Sequence, residues 1–299
     1  MKIGIAGTGR MGTAMALRLL DKGYEVMVWN RTRERTATSE AAGASVAPTP
    51  GALVAASDKI ISILTNATAM QAVYTGKDGL LSVDVTGKLF IEMSTVRAAE
   101  HQALASKVES VGALLLECAV SGTVKPAREG TLVGFAGGKP EAFTEAEPLL
   151  EKLCRRVELI GAMGAGASMK LAANLLLTVF WQALAEACSL MHTVPIEPER
   201  LIGLLADSNI GAAILRARGA AVAAALEGKP AEAASFDVDF MRKDLRDMLQ
   251  EAQALGVSLP VATRTLSSLD EASRAGFGKI DGTQYPAYWT NHAKARRYV

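Results

Sequence analysis

The chain has 299 residues, 49% of them hydrophobic and 21% charged, which fits a globular protein of roughly two domains. Lysine and arginine number 32 against 31 acidic residues; a formal charge of +1 gives no basis for a nucleic-acid or polyanionic partner. Cys118, Cys154 and Cys188 lie far apart, with no Cys/His cluster at metal-ligand spacing, so no metal or disulfide framework is expected and a reducing, cytoplasmic setting is.

Met1 leads straight into a short apolar strand over residues 2–6, which leaves no room for a signal or transit peptide. The strand runs into Gly7-Thr8-Gly9-Arg10-Met11-Gly12, a G-x-G-x-x-G turn, and then into a helical pattern with Met11, Met15, Leu19 and Leu20 on one face. Each glycine has a physical task. Gly7 permits the tight turn, Gly9 lets backbone approach a pyrophosphate, and Gly12 lets helix and sheet pack closely. The helix start then offers N–H groups and a positive dipole end to the phosphates. A second strand over 24–29 ends at Asn30-Arg31-Thr32. Sites selective for NAD carry an acidic residue about 20 positions beyond the fingerprint, bonded to the ribose 2′-hydroxyl. Here that place is the uncharged Asn30, and Arg31 follows. A guanidinium binds a 2′-phosphate that a carboxylate would repel, with Thr32 and Arg33 or Arg35 as further donors. The expected cofactor is NADPH rather than NADH.

Further strands are predicted at 59–64, 89–93, 114–118, 132–136 and 157–160, with helices between most of them, such as 98–111 and 141–153. That alternation predicts βαβ units and a mostly parallel sheet. After Gly164-Ala165-Gly166 only helices are predicted, at about 168–193, 197–207, 212–227, 238–255 and 260–275. The fold class is α/β: a Rossmann dinucleotide-binding domain over 1–163, then an all-α domain over 164–299 entered through a long helix. The apolar stretch 171–190 contains Asn174, Thr178, Gln182 and Glu186, so it reads as a buried helix rather than a membrane span.

Chemistry concentrates in a few segments. Lys170 and Asn174 lie four apart on one face of an otherwise apolar helix, where each requires a polar partner or a cavity. Spacing alone equally allows a helix-start lysine with its head in water. Hydride transfer to a carbonyl favours the first reading, because a placed ammonium stabilises the growing charge on oxygen and donates the proton. His101, His192 and His292 sit in no polar motif. Ser121, Gly122 and Thr123 leave a strand for a turn rich in donors, either a carboxylate nest or a plain strand-end turn. Thr95, in Met93-Ser94-Thr95-Val96, stands at another strand end, where cofactor contacts fall. Lys243-Asp244, in the segment from Phe236 to Leu245, forms either a site or a solvated charged turn.

Together these segments resemble the β-hydroxyacid dehydrogenases, the 3-hydroxyisobutyrate dehydrogenase-like family, over nearly the whole chain. The resemblance implies that Gly7, Gly9 and Gly12 hold the pyrophosphate, Arg31 the 2′-phosphate, and that Thr95 lies by the nicotinamide. It further implies that Ser121, Gly122 and Thr123 receive the substrate carboxylate, Lys170 is the catalytic acid, Asn174 orients substrate and Lys243 contacts cofactor. Within the family, Val120-Ser121-Gly122, Lys125-Pro126-Ala127, Asn30-Arg31-Thr32 and the Phe236 to Asp244 spacing look most like the glyoxylate and succinic semialdehyde reductases, which also use the Phe236 and Asp244 positions. The chain departs from the pattern at Cys118-Ala119, in place of Ala-Pro, and at Thr123, in place of Ser or Gly. Residues 285–289 have no assigned counterpart. The implied reaction is NADPH-dependent reduction of a short carboxylated aldehyde. The alternatives are a 3-hydroxyisobutyrate or tartronate semialdehyde type dehydrogenase, an imine reductase, which typically lacks the lysine, and a non-catalytic nucleotide-binding protein. The apolar helices over 169–191 and 212–226 predict a homodimer or homotetramer; no membrane partner is expected.

Overall fold

The structure, a computed structural model, describes residues 1–191, 194–208, 213–229, 234 and 236–293. His192, Ala212 and residues 294–299, which fall within the predicted segments, lie outside the described residues. Two compact units are present, residues 1–172 and 173–299.

The first unit is an eight-stranded sheet with helices on both faces. Its elements run β1 (Lys2–Ala6), α1 (Arg10–Asp21), β2 (Glu25–Trp29), α2 (Ala37–Ala41), β3 (Ser45–Val46), α3 (Pro50–Ala55), β4 (Lys59–Ser62) and α4 (Ala67–Thr75). They continue through β5 (Leu89–Glu92), α5 (Ala98–Ser110), β6 (Leu114–Ser121), α6 (Val124–Glu129), β7 (Leu132–Gly138), α7 (Pro140–Leu153) and β8 (Cys154–Gly161). The strand order is β3-β2-β1-β4-β5-β6-β7-β8. The first six strands are parallel, β7 pairs antiparallel to β6, and β8 pairs parallel to β7. The carboxyl ends of β1, β4, β5 and β6 therefore share one edge, where ligands of open α/β sheets bind.

Side-chain alternation builds two cores. Ile3, Ile5, Val28, Ile61, Ile91 and Leu116 face α1 and α7, packing with Met15, Leu19, Leu149 and Leu150. Ile60, Phe90 and Leu115 face the opposite side, with Leu53 and Val54 of α3, Tyr74 of α4 and Leu104 and Val108 of α5. A two-residue period that is apolar on both faces is what a doubly covered sheet requires.

Helix α8 (Ala165–Leu190) follows, and the second unit continues with α9 (Pro198–Asp207), α10 (Ala213–Leu226), α11 (Val238–Ala254), α12 (Pro260–Ala272) and α13 (Tyr285–Ala293). Within residues 165–188, α8 contains an 18-residue stretch of mean hydropathy 1.4, long and apolar enough by composition to cross a membrane. Lys170, Asn174, Thr178 and Gln182 are nonetheless buried along it.

Three local differences from the sequence expectations have physical causes. Strand β6 continues to Ser121, which pairs with Val133, so the turn begins only at Gly122, whose φ of 135° suits glycine. Helix α8 starts at Ala165 rather than near Ser168, because Gly164 at φ 103° makes the turn. Helix α13 was not foreseen. Its start is prepared by a capping box in which Asp281 accepts from Thr283 N–H and the Gln284 side chain accepts from Asp281 N–H. Pro286 is tolerated because it falls in the first turn.

Candidate active site

The fingerprint loop is shaped by its own glycines. Gly7 has φ 103°, and its N–H donates to the Trp29 carbonyl at 2.8 Å, joining the ends of β1 and β2. A Cβ on Gly12 would overlap the Gly7 carbonyl oxygen, so α1 approaches the strand as only glycine allows. Gly9 differs, since a Cβ there would meet no atom within 4 Å. Nothing among the described residues demands glycine at that position, which leaves the space beside it open to a ligand. Gly9 also caps α1 with no side-chain hydrogen bond, and the first turn carries no acidic residue. Thr8 Oγ1 is buried without a hydrogen-bond partner among the described residues. These features fit an anionic pyrophosphate held by backbone N–H groups.

The end of β2 is tied to this loop. Asn30 Oδ1 accepts from Thr8 N–H at 3.1 Å, and Asn30 Nδ2 donates to the Thr32 carbonyl at 2.9 Å. Asn30 thus has a bridging role that its place in the sequence did not reveal. Arg31 and Thr32 are exposed, as are Arg10 and Arg35, while Met11 is half-buried against the core. Arg33 is held by Glu40 and Thr36.

Along the same edge, the ends of β4 and β5 are joined by buried polar groups. Ser94 Oγ accepts from Leu64 N–H at 2.7 Å, and Glu92 Oε1 accepts from Ser94 N–H at 2.7 Å. Ser62 bonds both Glu92 and Tyr74, and burial raises the Glu92 carboxyl. This network fixes the strand end from which half-buried Thr95 projects. Ser121 and Thr123 are half-buried around exposed Gly122 at the end of β6, and Thr123 caps α6 with no side-chain hydrogen bond. Burial lifts all three thiols, Cys154 to about 12 and Cys188 to about 11, so none supplies a thiolate near neutral pH.

Lys170 is only 8% exposed, on the second turn of α8. In the second unit, Asn174 Nδ2 donates to Asp244 Oδ2 at 2.8 Å, and Lys243 Nζ bonds Asp244 Oδ1 at 3.2 Å and Asp247 Oδ2 at 3.0 Å. The structure therefore brings Asn174, Lys243 and Asp244 together, and Asp244 is a buried carboxylate that accepts from Asn174 and Lys243 rather than part of a solvated turn. Half-buried Phe236 is fixed through its backbone: its N–H donates to Asp281 Oδ2 at 3.2 Å, and its carbonyl accepts from Gly282 N–H at 3.1 Å. Asp281 is in turn paired with Arg218 at 2.9 Å. Asp281 escapes sequence reasoning because it stands alone in a loop, remote in sequence from Arg218 and Phe236. Glu117 was also overlooked, although one charge inside the apolar run Leu114-Leu115-Leu116-Glu117-Cys118-Ala119-Val120 was a signal.

Residues 2–173 match the family described as the NAD binding domain of 6-phosphogluconate dehydrogenase. Residues 164–288 match that described as NAD-binding of NADP-dependent 3-hydroxyisobutyrate dehydrogenase. Glyoxylate/succinic semialdehyde reductase 1 of Arabidopsis thaliana is 30% identical over 281 residues, covering 94% of this chain and 96% of its own. The 3-hydroxyisobutyrate dehydrogenase of Salmonella typhimurium superposes with a TM-score of 0.86 at 26% identity, over 96% of this chain and 99% of its own. A structure of Psf3 in complex with NADP+ and 2-OPP superposes with a TM-score of 0.85, also at 26% identity and with the same coverage. Fold, fingerprint and both halves of the sequence agree: the chain belongs to the β-hydroxyacid dehydrogenases, a family of NAD(P)-dependent oxidoreductases.

Proposed function

We propose that the chain is an NADPH-dependent reductase of short carboxylated aldehydes, with glyoxylate and succinic semialdehyde as the substrates to test first. The observation that carries this reading is Lys170, a lysine buried to 8% exposure on an apolar helix. Bound NADPH supplies the hydride. Lys170 holds the proton that the aldehyde oxygen takes up, and stabilises charge there as it develops. Ser121, Gly122 and Thr123 receive the carboxylate, and Asn174, steadied by Asp244, orients the substrate. Phe236 limits the length of the acid, and Lys243 and Thr95 contact the cofactor. Exposed Arg31 takes the 2′-phosphate, for which Asn30 leaves no competing charge. The Arabidopsis thaliana reductase, similar along almost its entire length, supports this choice of substrate. We place the enzyme in the cytoplasm as a homodimer or homotetramer.

The test is NADPH consumption by the purified protein with each aldehyde, alongside 3-hydroxyisobutyrate and tartronate semialdehyde assays. Lys170→Ala is expected to lower kcat by roughly 100- to 10,000-fold, the usual worth of a positioned acid, while NADPH still binds. Near-normal kcat in that variant would overturn the assignment.

A further inference from the structure

Glu117 is fully buried in β6, beneath the start of α8. Its Oε1 accepts from Gly164 N–H at 2.7 Å and from Gly166 N–H at 2.9 Å. The surroundings are closed around this contact. A Cβ on Gly137 of β7 would overlap Glu117 Oε1, and a Cβ on Gly166 would overlap the Phe135 carbonyl oxygen. Lys170 follows Gly166 by four residues, one turn of helix. The other carboxyl oxygen, Oε2, lies 3.6 Å from Nε2 of His101 on α5, which is also fully buried. Oε2 makes no hydrogen bond among the described residues, and the buried His101 ring meets the Ser94 backbone besides Glu117. Burying a bare carboxylate oxygen against an imidazole is costly compared with an apolar pair of the same size, so packing alone does not account for them.

We propose that Glu117 is a positioning residue, which anchors the first turn of α8 and so places Lys170, and that it gains and loses a proton on Oε2, the oxygen facing the neutral His101 ring. This rests on the proposed role of Lys170. When ionised, Glu117 gives α8 two charge-assisted hydrogen bonds and a negative charge at the helix's positive end. When protonated, Oε1 is a weaker acceptor, and the Oε2 hydroxyl has His101 Nε2 as its nearest acceptor. Burial lifts the Glu117 carboxyl to about 7, opposed by the backbone N–H groups of Gly164, Gly166 and Ala167 and reinforced by Glu92 on β5. His101 is drawn down to about 4 by burial and stays neutral through this range. The neighbouring Cys118 thiol is pushed well up and also stays neutral. From α8 and β7 it meets backbone amides and Gly137. The anchor is accordingly tighter above neutral pH than below it.

The test has two arms. In the wild-type protein, amide-exchange protection at residues 164–167 is expected to rise as pH increases through about 7, and in Glu117→Gln to stay flat. Glu117→Gln keeps an acceptor at Oε1 but removes the charge. At alkaline pH its kcat is expected to fall about tenfold, the equivalent of ~1.4 kcal/mol, with KM for NADPH within about twofold of wild type. The kcat–pH inflection near neutrality is expected to vanish. Flat protection in the wild type, or a wild-type kcat–pH profile in Glu117→Gln, overturns the proposal. If Lys170→Ala keeps its turnover while protection still follows Glu117, the anchor stands and the acid role of Lys170 falls.

Discussion

Replacing His101 with Phe removes one half of a pair whose pH effects on stability oppose each other. Glu117 titrates at about 7 in the folded chain, against 4.5 for a free carboxyl. Between those values the folded state keeps a proton that the unfolded chain has released, so stability falls as pH rises through that window. His101 titrates at about 4 when folded, against 6.5 when free. There the unfolded chain holds the extra proton, and stability rises with pH. At ~1.4 kcal/mol per pH unit, each group contributes about 3 kcal/mol across its own window, with opposite signs. In the wild-type chain the two slopes largely cancel where the windows overlap. His101→Phe keeps the site filled and exposes the falling slope: relative to wild type, the variant should lose about 3 kcal/mol as pH is raised from about 4 to 6.5. Glu117→Gln should expose the rising slope by a similar amount. Urea denaturation followed by circular dichroism at fixed ionic strength, at several pH values from 4 to 8, measures both. Difference curves that are flat, or that share one sign in the two variants, would refute the reasoning.

The two glycines of the fingerprint separate binding from folding. Gly9→Ala should leave the melting temperature near wild type while sharply weakening NADPH binding, because its Cβ meets only the space a ligand would use. Gly12→Ala, which drives a methyl into the Gly7 carbonyl, should cost about 1–3 kcal/mol of stability as well; thermal melts beside cofactor titrations distinguish them. Arg31→Asp should weaken NADPH binding at least about tenfold more than NADH binding, and equal losses would remove Arg31 from the 2′-phosphate site. Asp281→Ala strips a partner from Arg218, Thr283 and the Phe236 amide together, and should destabilise the chain by about 3 kcal/mol in denaturant titration.

Local signals made the dinucleotide half legible. Gly7, Gly9 and Gly12 are confined to six consecutive residues, and the strand–turn–helix around them follows from apolar periodicity. Lys170 and Asn174 were legible because polar groups at helical spacing stand out in an apolar run. What escaped depends on partners far away in sequence. Glu117 meets Gly164 across 47 residues, and Asn174 meets Asp244 across 70. Neither distance is periodic, so a carboxylate that fixes a helix start and one that sits in a solvated turn are written with the same letter. Helix α13 was hidden for a related reason: its start depends on a loop-borne Asp281 rather than on apolar spacing within the helix.

The Asn30 bridge sets the terms on which cofactor preference can change. Its amide is read at both ends, accepting from Thr8 N–H and donating to the Thr32 carbonyl. An aspartate, the obvious substitution to favour NADH, would keep the first bond but turn an acceptor toward the Thr32 oxygen. The loops proposed to hold the pyrophosphate and the 2′-phosphate would then be uncoupled along with the intended change in charge. A redesign toward NADH is better begun at Arg31 and Thr32, whose exposed side chains can be exchanged while the bridge behind them stays in place.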